Sequence, residues 1–242
     1  MGSYLEQPDQ KLNIKDKSVI IIANTKLLNN ISEYDKAMID KYQSQIINET
    51  LQIQYNRQIN SLKFMQFLNI HKLVLCKCQN IIPKLESQTI SILKIICCNI
   101  QSVKDMQLDN LEVLELFNDE RKEAETLAQE IVMFYKLKVL RLERLIVDIT
   151  PLQEMINLTQ LTLYSCQIRN IEALKPLVNL KELHLGYNYN IDITALQFLK
   201  TLIKLSLTSC CLISLDIIEP LTNLQELDIS YNKIVYIAQL RS

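Results

Sequence analysis

Residues 158–179 read LTQLTLYSCQIRNIEALKPLVN, residues 180–201 read LKELHLGYNYNIDITALQFLKT, and residues 202–223 read LIKLSLTSCCLISLDIIEPLTN. Leu158, Leu180 and Leu202 thus open three segments of one form, and Leu224 opens a fourth, LQELDISYNKIVYIAQLRS. The shared register is L-x-x-L-x-L-x-x-[N/C]-x-[I/L]-x-x-[I/L]-x-x-[L/I]-x-x-L, with a period of 22 residues. Such a period marks a chain built from stacked units. Within x-L-x-L-x the apolar residues alternate as in a strand, so the leucines point to one side and the x residues to the other. One unit cannot bury its own apolar edge. Stacking makes a parallel sheet and buries the later Ile and Leu positions beneath it. The segments after the strands are too short for long helices, so short 3-10 turns are expected there.

With the register known, weaker copies emerge upstream. They open at Leu137, Leu111, Ile90 and Ile70, and the faintest contains Leu51-x-Ile53-x-x-Asn56. The array then covers residues 48–242, about nine repeats. The copy from Leu111 is longer, and its extra residues predict a helix capped by Asn118 or Asp119 and running to Phe134, with Leu127, Ile131 and Phe134 on one face. The [N/C] position is filled by Asn56, Cys78, Cys98, Asp119, Leu145, Cys166, Asn188, Cys210 and Asn232.

On this register the chain resembles the leucine-rich-repeat family. The short period and the I-x-x-L-x-x-L tail look most like the short eukaryotic subclass that includes phosphatase-regulator repeats. The resemblance implies an α/β fold, a right-handed solenoid (horseshoe) with a concave parallel sheet and short 3-10 or α turns on the convex side. It also implies that the [N/C] side chain turns inward and hydrogen-bonds the loop backbones of neighbouring units. Asn can both donate and accept there, Cys does so weakly, and Leu145 should leave a gap.

Composition removes other classes. Lys plus Arg number 26 and Asp plus Glu 27, a net charge of −1, whereas a nucleic-acid binder needs surplus cations. Two glycines cannot build Gly-rich phosphate loops. No apolar run approaches a membrane span, so no membrane partner is expected. The seven cysteines include an adjacent pair at Cys97–Cys98 and another at Cys210–Cys211, lack zinc-site spacing, and are expected to be free thiols. Cys78, Cys98, Cys166 and Cys210 should be buried. His71 falls at a strand margin. His184 could enter a Ser–His–acid arrangement only with a sharp nucleophile turn and oxyanion donors, which a regular sheet does not supply. No catalytic, cofactor-binding or metal-ligating residue is therefore assigned, and an enzyme is not expected.

Residues 1–47 fall outside the repeat. Met1 to about Lys15 is polar and expected to be disordered, and Ser18 to Leu28 is strand-like. Ser32 to Ile47 predicts a capping helix with Ala37, Met38, Tyr42 and Ile46 on its apolar face. The sequence stops partway through a repeat, which suggests a piece of a longer protein or a last edge covered by a partner. The polar N-terminus does not resemble a secretory signal, and a cytoplasmic or nuclear location is expected.

The function expected is a non-catalytic protein–protein interaction scaffold. The subclass resemblance implies a narrower alternative, the regulatory subunit of an enzyme such as a protein phosphatase. Register alone names the outward positions of the face. They include Val74, Cys76, Ile92, Lys94, Ile96, Val113, Glu115, Phe117, Val139, Arg141, Glu143, Tyr164 and His184. The apolar members form a central cluster, expected to be ringed by Lys94, Glu115, Arg141 and Glu143, the composition of an interface centre with a polar rim.

Overall fold

The computed structural model describes residues 33–43, 45–54, 65–66, 68–77, 85–98, 100 and 102–234. The expected N-terminal tail, the strand-like segment from Ser18, the cap Ser32, and Asn56 and Cys78 lie outside these residues.

Among the described residues alternating leucines give nine parallel strands in one sheet, ordered as in the sequence. They are β1 (Thr50–Gln54), β2 (Lys72–Cys76), β3 (Ile92–Ile96), β4 (Val113–Glu123), β5 (Val139–Ile146), β6 (Gln160–Tyr164), β7 (Glu182–His184), β8 (Lys204–Ser206) and β9 (Glu226–Asp228). Paired strands align leucine to leucine, for example Leu140 with Leu161 and Leu161 with Leu183. From Leu73 to Leu207 the inward strand residues are at most 2% exposed. Each fully buried leucine contributes on the order of 1.5–3 kcal/mol. At β9 Leu227 is only partly buried, so the core thins there.

Short 3-10 turns run back beneath the later strands at Thr150–Glu154, Glu172–Leu174, Thr194–Phe198 and Asp216–Ile218. Each is entered through a side-chain turn. Asp148 Oδ1 accepts from Thr150 N at 2.9 Å, Asp192 Oδ1 from Thr194 N at 2.9 Å, and Asn170 and Ser214 act alike. Helix α1 (Glu33–Gln43) precedes the sheet and sends Met38, Ile39 and Tyr42 into the core, followed by Ile46. Ala37, expected on the apolar face, is exposed, and Ile39 takes that role.

Of the helix expected from Asn118 or Asp119 to Phe134 only the later part forms, and its expected apolar face, Leu127, Ile131 and the following Phe134, is buried. The chain stays extended through Glu123, and helix α2 covers only Leu127–Ile131. In β2, β3, β5 and β6 the residue after the strand's outward triplet takes a left-handed turn, as at Lys77, Cys97, Arg144 and Ser165, with φ between 51° and 57°. Asn118 does not turn. The strand continues past it, bulges over Arg144, and pairs again at Lys122–Leu145 and Glu123–Ile146. The overhang takes up these residues as strand before a helix can start. Glu130 of α2 then anchors the preceding unit, its Oε2 accepting from Ser102 Oγ at 2.7 Å and Val103 N at 2.6 Å.

Candidate interaction face

The outward residues of β2 to β6 fall into three rows crossing the strands. One runs Lys72, Ile92, Val113, Val139, Gln160, and the next Val74, Lys94, Glu115, Arg141, Thr162. The third runs Cys76, Ile96, Phe117, Glu143, Tyr164. These are the neighbours the repeat register implies. The arrangement of charge differs from the expected ring, because Lys94, Glu115 and Arg141 lie between the two apolar rows. Lys94 and Glu115 form an ion pair, and the Glu115 side chain is only 12% exposed. Arg141 bridges outward: its Nε is 2.8 Å from Glu143 Oε1, and its guanidinium lies 5.3 Å from the Phe117 ring centroid. Val74 is buried, whereas Cys76, Ile92, Ile96, Val113, Phe117 and Val139 are half-buried.

Beyond β5 the face becomes aromatic, then polar. The Tyr164 and Tyr187 rings pack tilted at 48° with their centroids 4.9 Å apart, and Tyr189 meets Tyr187 edge-on. A Cβ on Gly186 would sit 3.2 Å from the Tyr164 ring, so the missing side chain lets that ring settle onto the sheet. Burial first, and then Tyr187, push the Tyr164 hydroxyl up to about 12. His184 sits between Thr162 and Ser206, and burial draws its pKa below the usual imidazole value. The Ser206 hydroxyl is shared with Thr208 Oγ1 at 3.1 Å, and Asp228 is held by Ser230 Oγ at 2.6 Å and Thr208 Oγ1 at 2.8 Å. His71, at the margin of β2, pairs with Glu49 at 2.9 Å. Among the described residues no three His, Cys, Asp or Glu side chains converge as metal ligands.

Behind the strand ends runs a ladder of inward-turned polar side chains. Asn188 Nδ2 donates to Leu163 O at 2.6 Å and Leu185 O at 2.8 Å, and its Oδ1 accepts from Cys166 N and Ile168 N. Asn232 repeats the pattern one period pair later. Cys98, Cys166 and Cys210 supply the donor half, each Sγ reaching the second strand leucine of the unit before: Leu75, Leu142 and Leu185 at 3.4, 3.3 and 3.2 Å.

No protein-family model matches the sequence, and no curated protein is significantly similar to it. Solved structures are. An internalin (InlF) of Listeria monocytogenes aligns with a TM-score of 0.57 at 22% identity, over 79% of this chain and 58% of its own. Internalin C2 of the same bacterium aligns at 0.52 and 26% identity, over 80% and 76%. A leucine-rich-repeat protein of Leptospira interrogans aligns at 0.61 and 20% identity, over 84% and 60%.

The fold is a leucine-rich-repeat solenoid. This chain spans less than two thirds of the length of the first and third of those proteins. All three are bacterial, and the likeness is one of fold.

One departure from the leucine-rich-repeat pattern was not legible. Asp119 does not enter the ladder: it is exposed, and Asn118 turns inward instead, its amide making none of the bonds that Asn188 makes. Leu145 is fully buried and leaves the gap expected of it. Across that gap Arg121 of the overhang donates to Ser165. A second ladder was overlooked. Asn110, Asn157, Asn179 and Asn223 each donate from Nδ2 to a carbonyl of the preceding unit, at Gln88, Tyr135, Ile156 and Lys200. Its signal is the dipeptide Asn-Leu at the start of those repeats.

Proposed function

We propose that the face from β2 to β6 is where a partner protein docks, and that the chain serves as a non-catalytic scaffold. The observation that carries this reading is the pair of apolar rows, Ile92–Val113–Val139 and Cys76–Ile96–Phe117, flanking a row of charges. A partner covering all three rows gains apolar contact on both sides of a charge pair already formed. The narrower reading, an enzyme regulatory subunit, would recruit the acidic outward residues. Of these Glu115, Glu143 and Glu226 are occupied by Lys94, Arg141 and Lys204, so the proposal rests on the apolar rows. Thiols held as hydrogen-bond donors suit a reducing compartment, the cytoplasm or nucleus.

Affinity capture from the native cell tests this, comparing the wild-type chain with an Ile96→Ala, Phe117→Ala double variant. The double variant is expected to lose the captured protein while melting as a folded array, and Ser206→Ala is expected to retain it. Each alanine should weaken binding by about 1–3 kcal/mol. Unchanged capture by the folded double variant would overturn the site. A phosphatase catalytic subunit among the captured proteins would select the narrower reading.

A further inference from the structure

On the face from β2 to β6 the cations stand out and the acids are recessed. Its three rows hold Lys72, Lys94 and Arg141 against Glu115 and Glu143. The Lys94 side chain is 31% exposed and that of its partner Glu115 12%, while Arg141 is 45% exposed and its partner Glu143 22%. Glu143 takes only the Nε of Arg141, and the two Nη atoms make no bond among the described residues. The Phe117 ring lies against that guanidinium and helps to fix its place. The margins do not reverse the sign. Beside the first row Glu49 is paired with His71 and Glu112 with Lys138, and on the overhang Asp119, Glu120 and Glu123 are matched in number by Arg121, Lys122 and Arg144. From β7 to β9 the outward rows turn acidic, with Glu182, Glu226 and Asp228 against Lys204.

The spacing of the rows selects the shape of the occupant. The two apolar rows lie four residues apart along each strand, about 13 Å at the rise of a strand, with the charged row midway. An α-helix with its side chains is about 10–12 Å across, so one helix laid across the strands touches both apolar rows and the row between them. Its turns repeat about every 5.4 Å and the strands about every 4.8 Å, so each turn meets the next strand. On such a helix the residues three and four positions after a central one fall on either side of it. An extended segment turns alternate side chains away from the sheet.

We propose that the partner segment taken by this face is an amphipathic α-helix whose apolar stripe is split by a carboxylate: the Nη atoms of Arg141 bind the carboxylate, and the rows led by Ile92 and Cys76 take the apolar side chains. This deepens, and rests on, the reading of β2 to β6 as the docking face. The end of a guanidinium offers two parallel N–H groups that match the two oxygens of a carboxylate. Phe117 and Glu143 hold Arg141 before the partner arrives, so less side-chain freedom is lost on binding. The acids of β7 to β9 repel the same helix, which keeps it over β2 to β6.

Fluorescence anisotropy with two labelled Ala-rich peptides of about 18 residues, long enough to hold a helix, is the test. Both carry Leu at the flanking positions, and they differ at the central ones, Glu in one and Lys in the other. The full chain is expected to bind the Glu peptide about tenfold more tightly than the Lys peptide, and by a smaller factor as salt is raised. Arg141→Gln should abolish that preference, and the Ile96→Ala, Phe117→Ala variant should bind the Glu peptide about tenfold more weakly. Both variants change outward side chains, and thermal melting confirms that each is folded. The proposal is overturned if the full chain binds neither peptide, if it binds the two alike, or if folded Arg141→Gln keeps the preference. It also fails if the double variant binds the Glu peptide as wild type does, since the peptide would then lie elsewhere. Failure of the helix is distinct from failure of the face: a double variant that loses the captured protein, with neither peptide bound by wild type, keeps the face and removes the helix.

Discussion

Arg121 places both Nε and Nη2 3.1 Å from Ser165 Oγ, joining the overhang of β4 to the turn that follows β6. In a stacked array each unit ordinarily touches only its neighbours. This contact skips one, and it crosses the array where Leu145 interrupts the ladder. Arg144 strengthens the same corner by donating from Nη1 to Asp119 O at 2.7 Å.

Removing the strap should loosen the array around the gap. Arg121→Ala and Ser165→Ala are each expected to cost about 1 kcal/mol in urea denaturation, because a charged donor is lost from a partly exposed bond. The double variant should cost little more than either single one. Fully additive losses would show that the two side chains do not act together.

Asn188 satisfies four backbone groups at once, so Asn188→Ala should be among the costlier substitutions that leave the leucines untouched. About 3 kcal/mol is expected, since the amides of Cys166 and Ile168 and the carbonyls of Leu163 and Leu185 all lose their partner. Asn188→Cys should recover part of it by restoring a donor, as Cys166 and Cys210 do. A melt in which Ala and Cys behave alike would contradict the ladder's role.

Seven units place a non-glycine residue in the left-handed region just after the strand's outward triplet. Ser209, at φ 56°, is one whose hydroxyl makes no bond among the described contacts. Ser209→Gly should relieve backbone strain of roughly 1–2 kcal/mol, partly offset by glycine's greater freedom in the unfolded chain. A small rise in melting temperature is expected, and Ser209→Val should lower it.

Burial pushes the Cys166 thiol up to about 12 and that of Cys210 up to about 11. Unfolded thiols ionise near 9, so above that pH the unfolded chain holds fewer protons than the folded one and stability must fall as pH rises. The decline should run from about pH 9 to 11 for both thiols and on to 12 for Cys166, at no more than about 1.4 kcal/mol per pH unit per thiol. Cys166→Ala should flatten the curve. At pH 8 alkylation should reach Cys76 and Cys211, which are half-exposed, well before Cys166 and Cys210.

The strand order, the inward leucines and the three rows were legible because period two fixes which side a residue faces, and the 22-residue period fixes its neighbour. Phe117 lies beside Glu143 and Ile96 for no other reason. The overhang was not legible. Asn118 to Glu123 is polar and rich in charge, a pattern that fits a solvated helix as well as an extended strand. The choice was made by tertiary pairing of Lys122 and Glu123 with Leu145 and Ile146, which no local propensity encodes. The charge row is legible too, because the register itself sets Lys94 and Glu115 between the apolar rows.

The contact between Arg121 and Ser165 also imposes a count. Arrays of this kind lengthen or shorten by duplicating or losing whole units, and wherever contacts run only to the next unit, any junction can accept the change. Between Arg121 and Ser165 the change costs this contact: one added unit carries Ser165 out of reach, and one fewer brings the wrong turn beneath the guanidinium. The stretch from β4 to β6 is therefore expected to keep its spacing more often than the units on either side of it. Related chains of different length should differ by multiples of a unit outside this block and hold its spacing constant.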